Sequence, residues 1–503
     1  MSLAITRLGD PCSPAEPASL PFCTPPHFAT DSSTGIPRTH GFPKGPRYGA
    51  RAGAKRQEVS LNAVVRLAYA ATANLARVAA LLALPGDGKL ARSLRARRGL
   101  VRRITANART VRDPTRPLLW LHAPSVGEGL QARPVAEAWR AAHPTWQIAY
   151  TFFSPSAERF AQTVGADLTD YLPFDHAADA DALLEAFQPS ILVFAKLDVW
   201  PILVERATAR GIPLALISGT LAATSSRRGW WSRHVVRDAY ASLEAVGAID
   251  AEHAERLAEL GVARAALRVT GDTRFDQVLT HARAINRSSP LLAGLASSRP
   301  TLVAGSTWPA DEAVLFAAWP PTEGQSTSAS AASPRLVIAP HEPTSAHCAS
   351  IESWALRQSL RVSRLSRIES QSIDGDPDVI VVDRIGVLGE LYALADMAFV
   401  GGGFHSAGLH SVIEPAAFGV PVVFGPQYAM SREAGLLIAA GGAHALADAE
   451  SLRTQFRVWL ADSARRQFEG EAARAVVERE RGATERSVRL LERLVQKSDR
   501  PNG

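Results

Sequence analysis

Apolar and polar positions fall into a repeating pattern from Pro117 onward. Short apolar runs bounded by turn residues alternate with longer segments whose apolar positions recur at helical spacing. Leu118–His122, Gln147–Phe152, Ile191–Phe194, Pro213–Ile217, Ala245–Ala248 and Leu267–Val269 read as strands. Between them Leu130–Trp139, Ala178–Ala186 and Ala251–Leu260 read as helices. The rhythm then restarts, with strands expected at Thr301–Ala304, Arg335–Ala339, Val379–Val382, Met397–Val400 and Pro421–Phe424. Strands alternating with helices predict a parallel sheet. A doubled rhythm predicts two such units, 117–290 and 300–485, with a linker within 283–300. Pro320 to Pro334 reads as a surface loop. An Arg/Glu-rich helical pattern runs from about 463 to 496, and 486–503 reads as a tail.

The stretch before Pro117 differs. Residues 1–58 are rich in Pro, Gly, Ser and Thr without apolar periodicity, which predicts disorder, and they show no secretory signal pattern. Leu61–Leu84 is Ala- and Leu-rich but contains Arg66, Asn74 and Arg77. A spanning helix needs roughly 20 apolar residues with few charges. A helix lying in a membrane interface fits better, and a helix packed on the protein body is the alternative.

A chain of 503 residues suits two domains plus extensions. Its net charge of +6 is concentrated. Lys89, Arg92, Arg95, Arg97, Arg98, Arg102, Arg103, Arg109, Arg112 and Arg116 are opposed only by Asp113. Such a run reads as a surface for anionic lipid or nucleic acid, or as a solvated basic helix. No recognised nucleic-acid module accompanies it. Cys12, Cys23 and Cys348 have no metal spacing and suit a reducing compartment.

Candidate chemistry collects where strands give way to helices. Trp120-Leu-His-Ala-Pro-Ser-Val-Gly-Glu-Gly129 puts Glu128 at such a junction, where open α/β sheets bind ligands. A carboxylate there is either a general base or an acid complementing a helix dipole. In the second unit, Leu302–Thr307 opens into Gly-Ser-Thr. Ala398-Phe-Val-Gly-Gly-Gly-Phe-His405 leads to a helix expected near Ser411, with Glu414 about one turn inside. Free N–H groups there would stabilise a donor phosphate, and Glu414 could bind ribose hydroxyls. The alternative is a plain tight loop and a first-turn charge. The G-x-G-x-x-G fingerprint and the Walker A loop are absent. Two Rossmann-like units suit a transferase with a nucleotide-activated donor, a two-lobed epimerase, or a periplasmic-type binding protein. The missing signal pattern weighs against the last.

His122-Ala-Pro-Ser-Val-Gly-Glu128 resembles the His-x-x-Ser-Val-Gly-Glu of the Kdo transferases, which move 3-deoxy-D-manno-octulosonic acid (Kdo) from CMP-Kdo to lipid A precursors. Tyr171-Leu-Pro-Phe-Asp175, Lys196-Leu-Asp-Val-Trp-Pro201, Gly271-Asp-Thr-Arg-Phe-Asp276, Gly305-Ser-Thr307, Ala339-Pro-His-Glu-Pro343, Leu388-Gly-Glu-Leu391 and Ile413-Glu-Pro-Ala416 follow in the family's order. The resemblance implies an α/β fold of the GT-B type: two Rossmann-like domains facing a central cleft, preceded by an N-terminal membrane-associating helix and basic segment at 59–116. It implies inverting transfer without a metal and with no cofactor beyond the donor CMP-Kdo. It implies an acceptor domain at 117–290, a CMP-Kdo domain at 300–485, and an enzyme at the cytoplasmic face of a bacterial inner membrane, held peripherally or by one helix. Its partners would be the lipid A precursor (lipid IVA) and an anionic membrane surface, with no nucleic acid.

Residue by residue, Glu128 would be the base, Asp198 and Arg274 would stabilise the transition state, and Ser125 and Gly127 would lie beside the acceptor. CMP would contact Gly305, Ser306, Pro340, His341, Glu342, Leu388, Gly389, Glu390 and Leu391, with Glu414 near the ribose. The chain departs from the pattern at Arg274, where many members have Lys, and at Asp198, where Glu is usual. His341-Glu342 replaces Arg-His, and His410-Ser411 replaces His-Asn. The alternatives are another GT-B lipid glycosyltransferase, a sugar-nucleotide epimerase, or a non-catalytic relative that binds glycolipid or nucleotide.

Overall fold

The computed structural model describes residues 88–499 apart from 226, 228, 320–332 and 371–374, together with 68, 69, 71–75 and 78. The disorder expected for residues 1–58 and most of the Pro320–Pro334 loop lie outside the described residues.

The apolar runs form two seven-stranded sheets in which every pairing is parallel. The first comprises β1 (Leu118–His122), β2 (Gln147–Phe152), β3 (Leu168–Tyr171), β4 (Ile191–Ala195), β5 (Leu214–Gly219), β6 (Ala245–Ala248) and β7 (Leu267–Val269). Its spatial order is β3-β2-β1-β4-β5-β6-β7. The second comprises β8 (Thr301–Thr307), β9 (Arg335–Pro340), β10 (Val362–Arg364), β11 (Val379–Val381), β12 (Met397–Val400), β13 (Val422–Phe424) and β14 (Ala443–Ala445). Its order is β10-β11-β9-β8-β12-β13-β14. In both sheets the winding reverses beside the first strand, between β1 and β4 and between β8 and β12. That reversal leaves a crevice at the carboxyl ends of the strands.

Central strands such as β1 and β4 are buried at every position, as parallel strands covered on both faces must be. The sequence reading did not include β3, β10 and β14. All three are sheet edges, and each carries half-buried polar residues, as in Val362-Ser-Arg364 and Ala443-His-Ala445. An edge strand meets solvent and needs no continuous apolar run.

The basic segment before β1 is partly built into the first domain. The helix Leu100–Val111 buries Leu100, Ile104 and Ala108. Arg97 is buried with its guanidinium carbon 3.6 Å from the Phe153 ring centroid, and its Nη2 donates to the Phe153 carbonyl at 2.8 Å. Arg103 pairs with Asp170 at 2.8 Å. Arg92, Arg98, Arg102 and Arg109 remain exposed. Most of Leu61–Leu84 lies outside the described residues. Its described residues are helical, and Tyr69 Oη donates to Asp175 Oδ2 at 3.0 Å. No helix among the described residues is long and apolar enough to cross a membrane.

Asp175 explains why that anchor holds. Its carboxylate is buried and accepts the Ile202 and Leu203 amides at 2.8 and 2.9 Å, at the start of the helix Pro201–Ala209. Burial raises its pKa from 3.8 to about 6, against the pull of those bonds. A raised carboxyl favours the folded state most at low pH, and that contribution fades as pH rises through the folded value. Measured against Asp175→Asn in urea unfolding, the wild type should lose relative stability between pH 3.8 and about 6 and change little above. A difference that stays flat across that window would contradict the assignment.

The expected tail at 486–503 is not separate. The helix Ala483–Asp499 returns to the first domain and places Val488, Leu490, Leu491 and Leu494 in its core. The reason is its apolar stripe, which needs a partner surface. The outgoing helix Thr273–Ala284 meets this return segment directly, because the Asp276 carboxylate accepts the amides of Gly482 and of Thr484, the latter at 2.6 Å.

Candidate active site

Glu128 follows β1, in the first turn of the helix Val126–Ala142, so the helix starts earlier than its apolar pattern indicates. Ser125-x-x-Glu128 has the spacing of a capping box. The box does not form: Ser125 makes no side-chain cap bond, and its hydroxyl donates to Glu128 Oε2 instead. Lys196, just beyond β4, brings Nζ to 3.1 Å from Glu128 Oε1. Burial alone would raise the Glu128 pKa, but the Lys196 charge and the bonds from Ser125 and Lys196 hold it below the usual carboxylate value. The group is therefore an ionised acceptor rather than a helix cap. Gly129 is required beside it, since a β-carbon there would lie 2.4 Å from the Phe160 ring and 2.9 Å from Tyr150 Oη. Gly127 is exposed in the same first turn.

Asp198, two residues beyond Lys196, forms a second polar group. It accepts Trp200 Nε1 at 3.0 Å and Arg227 Nη2 at 3.1 Å, with His122 Nε2 3.5 Å away. His122 is fully buried and its Nδ1 meets Thr151 Oγ1 at 3.0 Å. Burial opposes ionisation of Asp198, but His122, Trp200 and Arg227 outweigh it and lower its pKa. Glu128, Lys196 and Asp198 thus share the carboxyl ends of β1 and β4, at the winding reversal.

Arg274 is placed differently. Its Nε and Nη2 bond Asp272 Oδ2 at 3.0 and 2.7 Å, and its Nη1 bonds Glu433 Oε1 at 3.0 Å, joining the two halves of the chain. Its recorded bonds go to neither Glu128 nor Asp198. Asp272 links it to the Glu128 helix by accepting Gln131 Nε2 at 3.2 Å.

In the second domain, close backbone approach fixes the glycines. A β-carbon on Gly305 would stand 2.1 Å from Tyr392 Oη, and one on Gly401 would stand 2.2 Å from the Ser306 carbonyl. Ser306 itself has φ 54°, a left-handed conformation costly for a residue with a β-carbon. The helix Leu388–Leu391 packs here: Leu391 is buried, while Leu388, Gly389 and Glu390 are half-buried. A β-carbon on Gly389 would lie 2.9 Å from His281 Nε2 and 4.0 Å from Glu414 Oε2. Gly305, Leu388, Gly389 and Glu414 therefore form one group. Burial raises the Glu414 carboxyl above its ordinary value.

The glycine loop is a tight turn tied down by Asp311. The amides of Gly402 and Phe404 donate to Asp311 at 2.7 and 2.9 Å, and the Gly401 amide donates to the Gly305 carbonyl at 2.9 Å. The helix expected from Ser411 is the five-residue Ile413–Ala417, so Glu414 is its second residue. Pro340 ends β9, and His341 and Glu342 beyond it are exposed. The His341 ring stacks on Trp308 at 4.5 Å and on His410 at 4.6 Å, while Trp308 stacks on His405 at 4.3 Å. Trp308 Nε1 donates to His410 Nε2 at 3.2 Å. Burial and the neighbouring His341 lower the His410 pKa, which keeps that nitrogen an acceptor. This aromatic stack and Asp311 were not singled out in the sequence. Trp308-Pro309 directly after β8 is the one signal that could have pointed to them. Among the described residues, no His, Cys, Asp and Glu cluster could hold a metal ion.

The fold is shared with a UDP-GlcNAc 2-epimerase from Neisseria meningitidis, at TM-score 0.52 and 13% identity over 76% of this chain and 100% of that one. Two parallel α/β domains in one chain thus define the class, and at that identity the likeness concerns the fold alone. Sequence relatives are more specific. A family model described as 3-Deoxy-D-manno-octulosonic-acid transferase (kdotransferase) matches residues 92–277. The 3-deoxy-D-manno-octulosonic acid transferase of Bordetella pertussis is 31% identical over 74% of this chain and 86% of its own length. That of Haemophilus influenzae is 24% identical over 76% and 88%. The chain belongs to the 3-deoxy-D-manno-octulosonic acid transferase family and is a glycosyltransferase.

Proposed function

We propose that this chain moves Kdo from CMP-Kdo to a hydroxyl of a lipid A precursor, lipid IVA, with inversion and without a metal, using Glu128 as general base. The observation that carries the reading is Glu128 itself, ionised, uncapped and held by Ser125 and Lys196 at the carboxyl end of β1. A sugar hydroxyl is a poor nucleophile at neutral pH, so a positioned base is needed. The acceptor oxygen bonds to the Kdo anomeric carbon as its proton passes to Glu128. The bond from that carbon to the CMP phosphate breaks, and its electron pair leaves with CMP.

Asp198, held ionised, stands beside the reacting centre to offset positive charge developing on the sugar. Arg274 acts as a clamp between the halves, since its donors are taken by Asp272 and Glu433. CMP lies along Gly305, Ser306, Leu388–Leu391 and Glu414, with Pro340, His341 and Glu342 at its edge. Ser125 and Gly127 border the acceptor. The exposed Arg92, Arg98, Arg102 and Arg109, with Leu75, Val78 and Leu90 also exposed, favour docking on the anionic cytoplasmic face of the inner membrane. Incubating the protein with CMP-Kdo and a tetra-acylated lipid A precursor should give lipid heavier by whole Kdo residues in mass spectrometry. Lipid of unchanged mass would overturn the donor and acceptor assignment.

A further inference from the structure

Lys196 occupies an uncommon position. It has φ 64°, a left-handed conformation that costs a residue with a β-carbon on the order of 1–2 kcal/mol. Its backbone is pinned there, its amide donating to the Ile217 carbonyl at 2.9 Å and its carbonyl accepting the Thr220 amide at 3.3 Å. Strain of this kind persists at functional sites when the surroundings enforce it. The conformation delivers the ammonium to Glu128, its one ion-pair partner among the described residues. Asp198, two residues away, is engaged by Trp200, Arg227 and His122. The Lys196 side chain is still 41% exposed, whereas that of Glu128 is 16% exposed. The ammonium is therefore the solvent-accessible partner of the pair, and the carboxylate the enclosed one.

We infer that Lys196 guards the base: its ammonium occupies Glu128 in the free enzyme and is drawn off by an anionic group of the bound substrates, a carboxylate or a phosphate. The inference rests on the transferase reading above. A carboxylate paired with an ammonium accepts a proton poorly, so Glu128 cannot activate water until substrate is seated. Substrate binding then frees it. Among the described residues, the other groups acting on Glu128 are Ser125 at the N-cap of its helix and Tyr150 on β2, and neither carries positive charge.

The test compares wild type, Lys196→Met and Lys196→Arg in the full-length protein. Met keeps the β-carbon and length, so backbone strain is unchanged, while the charge is lost. In the wild type, the acid limb of kcat/KM, which reports the free enzyme, should lie below that of kcat by about one pH unit, the size expected of one cation near a partly exposed carboxylate. In Lys196→Met the kcat/KM limb should rise to meet the kcat limb, and in Lys196→Arg it should stay low. Acceptors with and without phosphates separate the sources. A wild-type kcat limb that drops with the dephosphorylated acceptor assigns the anion to the acceptor phosphate. An unmoved limb assigns it to the donor carboxylate. Coincident kcat and kcat/KM limbs in the wild type, or an unmoved kcat/KM limb in Lys196→Met, would overturn the inference. Carbon-13 NMR titration of the Glu128 carboxyl in the free protein gives a readout independent of Kdo transfer. A raised midpoint in Lys196→Met with no transfer by the wild type would preserve the ion-pair control and reject only the transferase reading.

Discussion

Replacing Glu128 with Gln should lower kcat by about 10²–10⁴-fold, the share a positioned general base contributes, while leaving the KM for the donor nearly unchanged. Gln retains the volume of the side chain and an oxygen to accept from Ser125, so the helix start should survive. What disappears is the capacity to take a proton. A stability signature should accompany the kinetic one. The Glu128 carboxyl is held below its ordinary value in the folded chain, so it stabilises the fold above the unfolded value of 4.5. That contribution is lost as pH falls through the lower folded value. The stability difference between wild type and Glu128→Gln should therefore shrink in acid. Steady-state release of CMP and urea unfolding at several pH values measure the two effects. A variant with wild-type kcat would remove Glu128 from the mechanism.

Asp311→Ala should cost about 3 kcal/mol or more. The Asp311 side chain is fully buried and accepts three backbone amides: Trp308 at 2.9 Å, Gly402 at 2.7 Å and Phe404 at 2.9 Å. Each buried donor left unsatisfied costs roughly 1–3 kcal/mol. The loop after β12 should lose its shape with them, and the aromatic stack built on Trp308 should loosen. Denaturant unfolding measures the loss. A change below about 1 kcal/mol would mean that the loop is shaped by something other than this carboxylate.

These two residues also show what the sequence could and could not reveal. Glu128 was legible because its setting is local: a strand, a turn and a helix within about ten residues. The central strands were legible for a similar reason, since burial on both faces demands an apolar run, as in Leu118–His122. Asp311 was not legible. Its partner Gly402 lies 91 positions away, and only the packing of β8 beside β12 brings them together. Lys196 stood within a recognised motif, but its pairing with Glu128 depends on the adjacency of β1 and β4 and on a backbone conformation invisible in its identity. Arg274 was legible as a motif residue, yet its partner Glu433 comes from the other half of the chain. Strand ends could be read in advance, whereas meetings between distant strand ends could not.

The return of the chain at Gly482 fastens the two crossings between the halves to each other. The outgoing connection carries Asp276, and that one carboxylate rivets it to the incoming connection through Gly482 and Thr484. Arg486 adds a second fastening by donating from Nε to the Thr270 carbonyl at 2.8 Å. The two connections are thereby fastened to each other. Sliding one connection past the other would break that fastening. Arg274 and Arg432 tie the same two halves at further points, through Glu433 and Asp250, so any relative movement of the halves must strain those ion pairs as well.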